Sequence, residues 1–220
     1  MKQINGYLLI LVVILSGFCF QSDEDNFVPM ANVNEFKKAL ENFSANTKSI
    51  QSDFIQEKQL SILDEKISSK GSFSFQRENS VRWEYIEPIQ YAIIIHNEKF
   101  SIKDGDKVTS YDVNSNLLFK QINNIIVSIV SGKLPSDEEF NLSYFENKEL
   151  YQVKLIPIWE EVEDMIKSIQ IYQTKKDLTV VKVVLTESNG DYTILYFQNT
   201  ILNADIPGGT FLEKYPGSKS

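Results

Sequence analysis

The stretch Gly71-Ser72-Phe73-Ser74-Phe75-Gln76-Arg77-Glu78-Asn79-Ser80-Val81-Arg82-Trp83-Glu84-Tyr85-Ile86-Glu87-Pro88 decides the fold class. Its large apolar residues fall at every second position, Phe73 and Phe75 and then Val81, Trp83 and Tyr85. That spacing puts side chains on one side of a pleated strand and leaves no stripe for a helix. The polar run Arg77-Glu78-Asn79-Ser80 supplies the reversal between the two strands. Tyr91, Ile93 and Ile95 continue the alternation, and Lys70-Gly71, Glu87-Pro88, His96-Asn97-Glu98 and Lys103-Asp104-Gly105-Asp106 read as tight turns. Connections this short leave no room for crossover helices, so Ser49 to Val113 reads as an antiparallel meander.

Upstream, Asn32 with Glu35 forms a capping-box pattern, and Val33, Phe36, Leu40 and Phe43 mark one face of a short amphipathic helix. Downstream, Leu118, Ile122, Ile125, Ile126, Ile129 and Val130 predict a second helix over Asn116 to Gly132, stopped by Gly132-Lys133. Five further strands follow, carried by Phe140 to Tyr144, Tyr151 to Leu155, Ile169 and Ile171, Leu178 to Leu185, and Tyr192 to Tyr196. Asn189-Gly190 predicts a hairpin turn with positive φ at both residues, and Ile206 to Ser220 reads as a surface-laid or frayed end. Strands such as Tyr91–Ile95 and Val180–Leu185 are apolar on both sides, which a sheet with one solvated face does not need. Two readings stay open: a sheet buried between helix and chain terminus, or a lipid-sized apolar cavity.

With 220 residues, 42% of them hydrophobic, the chain can bury one sizeable core, and no linker or repeat divides it. A net charge of −8 argues against nucleic acid as a partner. Lys2, an apolar run from Tyr7 to Leu15 and the break at Ser16-Gly17 have the layout of a secretory signal peptide over residues 1–19, leaving a single domain over 20–220. The alternatives for the same segment are a retained membrane anchor and a lipoprotein signal that lipidates Cys19. His96 is the one histidine, no G-x-S-x-G elbow occurs, and the acidic run Glu160, Glu161, Glu163 and Asp164 lacks the ligand spacing of a calcium loop. These counts predict no catalysis, no cofactor and no metal. A hydrolase using Glu84 and Glu87 is the weakest reading, because residues three apart on a strand point to opposite faces.

The Gly71–Pro88 stretch resembles the signature of the LolA family, periplasmic carriers of outer-membrane lipoproteins: a glycine, alternating apolar residues, an arginine, then Arg-Trp-x-Tyr and a proline. Ile50–Lys58, with Phe54-Ile55-Gln56, is similar to that family's first strand, and Tyr91–Ile95 with Phe100-Ser101-Ile102 to its next hairpin. The resemblance implies an α+β fold, an incomplete antiparallel β-barrel, or half-barrel, with helices covering an apolar concave face. It implies an acyl-chain cavity walled by Phe54, Phe73, Phe75, Trp83, Tyr85, Ile93 and Ile95. Arg77 would be the lid-gating arginine, and Val81 the position that docks to the transporter; Glu78 stands where the family usually has proline. The implied partners are acylated lipoproteins, the inner-membrane lipoprotein-releasing transporter, and an outer-membrane receptor or the outer membrane itself, met by a periplasmic monomer. A LolB-like lipidated receptor or a lipid-binding envelope sensor is the alternative on the same fold.

Overall fold

The structure is a computed structural model and describes residues 26–62, 65–77, 80–112, 125, 128, 132–135 and 138–214. The expected signal segment and most of the predicted second helix lie outside these residues. Twelve strands form one antiparallel sheet: β1 (Val28–Pro29), β2 (Ser49–Gln59), β3 (Lys66–Gln76), β4 (Ser80–Glu87), β5 (Tyr91–His96), β6 (Lys99–Asp104), β7 (Lys107–Asp112), β8 (Phe140–Glu146), β9 (Leu150–Pro157), β10 (Ile166–Thr174), β11 (Val180–Glu187) and β12 (Tyr192–Leu202). Their spatial order is β1-β8-β9-β10-β11-β12-β2-β3-β4-β5-β6-β7, and no pairing among the described residues joins β7 back to β1. The sheet is therefore open, as the half-barrel expectation requires.

Register makes one face of this sheet apolar from end to end. Directly opposed residues share a face, and the row Val153, Ile171, Val183, Leu195 continues in β2 and β3 through Phe54 and Phe73 to Trp83, Ile93 and Ile102. Helix α1 (Val33–Asn46) lies on the β8–β11 half of that face, burying Phe36 and Leu40 against Phe140, Val153, Leu155, Ile169 and Ile171. Asn32 starts α1 as expected, but its side chain makes no capping bond; its backbone carbonyl accepts from Phe36 instead. Ile125 and Ser128 are helical, and the predicted stop is in place: Gly132 has φ +72 and the Lys133 N–H reaches the Ser128 carbonyl at 3.0 Å, the bond that closes a left-handed helix end.

Two turn expectations need correction. Lys70-Gly71 is no turn: β3 runs straight through it, and the reversal sits at residues 60–65. A Cβ on Gly71 would meet the Glu84 carbonyl oxygen and come within 2.6 Å of the Phe54 ring, so the residue is small to let that ring lie across the sheet, not to bend the chain. At Asn189-Gly190 only the glycine has positive φ, +94; the Gly190 N–H bonds the Glu187 carbonyl and the Glu187 N–H bonds that of Asp191, which makes a three-residue loop rather than the two-residue turn. The turn with two left-handed residues is Asn97-Glu98, at φ 50 and 61.

The C-terminal segment is laid on the sheet's other face. Thr210 and Phe211 are buried; Phe211 stacks on His96 at 6.1 Å, and Glu213 accepts hydrogen bonds from Ser101 and Ser110, both at 2.9 Å. Arg82, 3% exposed, makes a two-point bond to Glu84 at 3.1 and 3.2 Å and reaches the Thr210 carbonyl at 3.4 Å. These contacts surround Ile94, itself 2% exposed. The two-sided apolarity of β5 thus has a cause on each side.

Replacing Gly71 with alanine should lower stability by at least about 1–3 kcal/mol, because the new Cβ strikes the Glu84 backbone carbonyl first and the Phe54 ring second, read as a lower urea midpoint, whereas Gly208→Ala, with nothing near its Cβ, should leave it unchanged. The Ser110 and Ser101 hydroxyls hold the Glu213 carboxyl below its ordinary value. A carboxyl depressed in the folded state adds stability above the unfolded value near 4.3 and loses it as pH falls through the folded value. Midpoints measured downward from about pH 6 should therefore fall less steeply for Glu213→Gln than for the parent chain.

Candidate functional site

All seven residues expected to wall the cavity stand on the apolar face. Phe73 opposes Trp83, which opposes Ile93; Phe75 opposes Val81, which opposes Ile95; and Phe54 opposes Gly71, which opposes Tyr85. The structure brings them together as a packed cluster, with Phe54, Phe73, Phe75 and Ile95 each at or below 3% exposed. Aromatic rings meet edge to face: Phe54 lies 5.3 Å from Trp83 and 5.1 Å from Tyr85, and Phe73 lies 5.2 Å from Trp83. Tyr85 stacks on Tyr91 at 4.3 Å and donates its hydroxyl to Gln56 at 2.7 Å; burial pushes its phenol pKa up. Trp83 differs, because its Nε1 is buried without a hydrogen-bond partner.

Sequence reading did not find two residues that join this cluster to the core under α1. Leu195 and Phe197 of β12 pack against both, and Phe197 sits 5.9 Å from the rings of Phe73 and Trp83. Their signal was the period-two run in β12, which shows a strand but not its central place in the sheet order. Arg82 was likewise quoted only as a neighbour of Trp83, yet it is the buried cation that ties down the C-terminal segment. Glu84 and Glu87 do not point to opposite faces: a bulge at Ile86 shifts the register, so Lys70 opposes Glu87 just as Ser72 opposes Glu84. Glu84 is held by Arg82 and Glu87 by Lys70, at 3.1 Å in each case, so the two carboxylates do not form a pair.

Arg77 leaves the end of β3 and reaches the C-terminus of α1. Its Nε and Nη2 donate to the Thr47 carbonyl at 3.1 and 2.8 Å, and Nη2 also to the carbonyls of Ala45, at 3.1 Å, and Ser44. The last turn of α1 carries no basic residue of its own, so this guanidinium supplies the positive charge that free helix carbonyls attract. Arg77 is solvent-exposed, so water can replace each of these bonds at modest cost. Beside it, a cleft of about 590 Å³ opens between α1 and residues 132–135, with Leu40, Leu134 and Leu142 on its walls and Lys37, Glu41, Lys133 and Arg77 also lining it. A second, much smaller space of about 30 Å³ lies between Phe43, Ile50, Phe73, Phe197 and Leu202. Val81 is 1% exposed inside the cluster and presents no surface to a transporter, because register turns it to the apolar face between Phe75 and Ile95. No helix among the described residues is long and apolar enough to cross a membrane.

Comparison with known proteins fits this geometry. A curated outer-membrane lipoprotein carrier protein from Methylococcus capsulatus is 26% identical over 203 residues, covering 88% of this chain and 85% of that protein. Among solved structures, a LolA superfamily protein from Nitrosomonas europaea is similar with TM-score 0.44 and 8% identity, over 80% of this chain and 96% of the other. The MucA/MucB complex of Pseudomonas aeruginosa gives TM-score 0.46 and 10% identity, over 82% of this chain and 60% of the other. The family model described as outer membrane lipoprotein carrier protein LolA matches residues 45–213, and the chain belongs to that family.

Proposed function

We propose that the protein is an exported periplasmic carrier that takes the acyl chains of lipoproteins onto its apolar sheet face and moves them from the inner to the outer membrane. The observation that carries this reading is the join between that face and its cover: a continuous apolar surface, one half of it under a helix whose end is tied by exposed, exchangeable bonds from Arg77. Family membership supports it, and the family consists of carriers rather than enzymes. Each methylene removed from water is worth roughly 0.8 kcal/mol, so a multi-chain anchor needs an escort through an aqueous compartment. Loading then consists of lifting α1 and moving the rings of Phe73 and Phe54 aside, so that acyl chains seat against Trp83. Cleavage of residues 1–19 is part of this proposal, and a lipidated Cys19 belongs to the receptor alternative.

Arg77 ties the cover in the unliganded state, so its removal shifts the population toward the open, binding-competent form. Arg77→Leu should slow release of an acylated lipoprotein several-fold in a transfer assay, and unchanged uptake and release rates would exclude a gating role. Native mass spectrometry of the protein from its own periplasm, with denaturing mass analysis of the same sample, tests the whole reading. Acylated cargo on an unlipidated chain is the expected result; a diacylglyceryl mass on Cys19 would favour the anchored receptor.

A further inference from the structure

The indole of Trp83 lies in the aromatic part of the apolar face, wedged in the ligand-free protein between Phe54, Phe73 and Phe197 at 5.3, 5.2 and 5.9 Å. Its N–H is buried and has no hydrogen-bond partner among the described residues, while the Tyr85 hydroxyl two residues along the strand is satisfied by Gln56. Buried polar groups are rarely left unpaired in folded proteins, and where one is, a missing partner is the first explanation to test. An indole can only donate, so the partner must be an acceptor. A phenylalanine would have filled the same space without this requirement.

We infer that Trp83 is a specificity-determining residue of the acyl site, its Nε1–H donating to an ester carbonyl oxygen of the bound lipid. The inference rests on the carrier reading above and adds to it a chemical distinction. Hydrocarbon alone cannot satisfy the donor, a hydroxyl brings a donor of its own that the surrounding rings leave unmet, and an ester carbonyl brings an acceptor only. The carbonyl also marks where an acyl chain ends and its polar linkage begins, so a donor in the face sets how deep each chain sits. Selection comes from the contrast with ether-linked lipids of equal length, which bury the same methylenes but offer a far poorer acceptor.

The test compares two synthetic probes on the full chain: a dipalmitoyl-glyceryl-cysteine peptide and its dihexadecyl ether counterpart. One net hydrogen bond corresponds to about 2- to 10-fold in affinity, and the ester probe should bind more tightly by that factor. Substituting benzothienylalanine at position 83 keeps the ring shape and removes the N–H; it should abolish the ester-over-ether preference, and Trp83→Phe should show the same loss of discrimination. The infrared band of an isotope-labelled ester carbonyl should move to lower frequency on binding to the parent chain and not on binding to the benzothienyl variant. Equal affinities of the parent chain for both probes would overturn the inference and mean that the ring faces around Trp83 satisfy its N–H, with the carrier reading intact. Binding of neither probe would overturn the carrier reading, and this inference with it.

Discussion

Everything else in the molecule answers to one constraint, the covering of a wide apolar sheet face. Twelve strands at about 4.8 Å spacing span ~50 Å, whereas the 14 residues of α1 reach only about 21 Å. One helix therefore covers one half, where Phe36 and Leu40 seal Val153, Leu155 and Ile171. On the other half, among the described residues, Phe54 crosses the bare backbone at Gly71, and Trp83, Phe73 and Phe197 close on one another edge to face. Toward β7, Ile102 and Tyr111 are 37% and 42% exposed. Gly71 matters for this reason, since any side chain there would separate the ring of Phe54 from the strand it lies on.

The opposite face would expose Ile94 and Ala92 if nothing lay on it. The chain's own C-terminal segment does, fixed by a buried cation at Arg82 and a carboxylate at Glu213. Arg82 is tolerable there because Glu84 meets it at two points and the Thr210 carbonyl accepts from it; an unpaired buried guanidinium would be costly. With β4–β6 backed in this way, movement is directed to the other side of the sheet. Cover and backing thus have different characters: exchangeable surface bonds at Arg77, buried and paired ones at Arg82.

Most of the architecture was legible because alternation is a local property. Phe73, Phe75, Val81, Trp83 and Tyr85 announce their strands, and the positive φ at Gly132 follows from a glycine after a helical stripe. What was not legible is non-local. That β12 pairs with β2 at the middle of the sheet, and so brings Phe197 to Phe54, depends on strand order, which no window of sequence carries. The bulge at Ile86, which turns Glu87 to the side of Glu84, is one added residue in an otherwise regular run. Glycine misled for a similar reason: at Lys70-Gly71 the sequence has the composition of a turn, and only the ring of Phe54 across the sheet shows why the residue is small. Periodicity put Phe73, Phe75, Trp83 and Tyr85 on shared strand faces and the family resemblance suggested the cavity wall, but the burial of Val81 and the unmet N–H of Trp83 needed the packed structure.

A carrier faces opposing demands, since it must hold lipid in water and then let it go. The packed state meets both. Phe54, Phe73, Trp83 and Phe197 pack against one another, so on the proposed carrier reading an acyl chain entering the face would displace contacts among these rings. The gain of roughly 0.8 kcal/mol per methylene would then be offset by the loss of ring contacts of the same apolar kind. Such a near exchange keeps net affinity far below what the buried area alone suggests. On the proposed reading it would keep the ligand-free face covered and let a better acceptor draw the lipid out. A preformed dry cavity would hold the same chains more tightly and release them more slowly, so the aromatic filling of this face suits the transient load proposed for it.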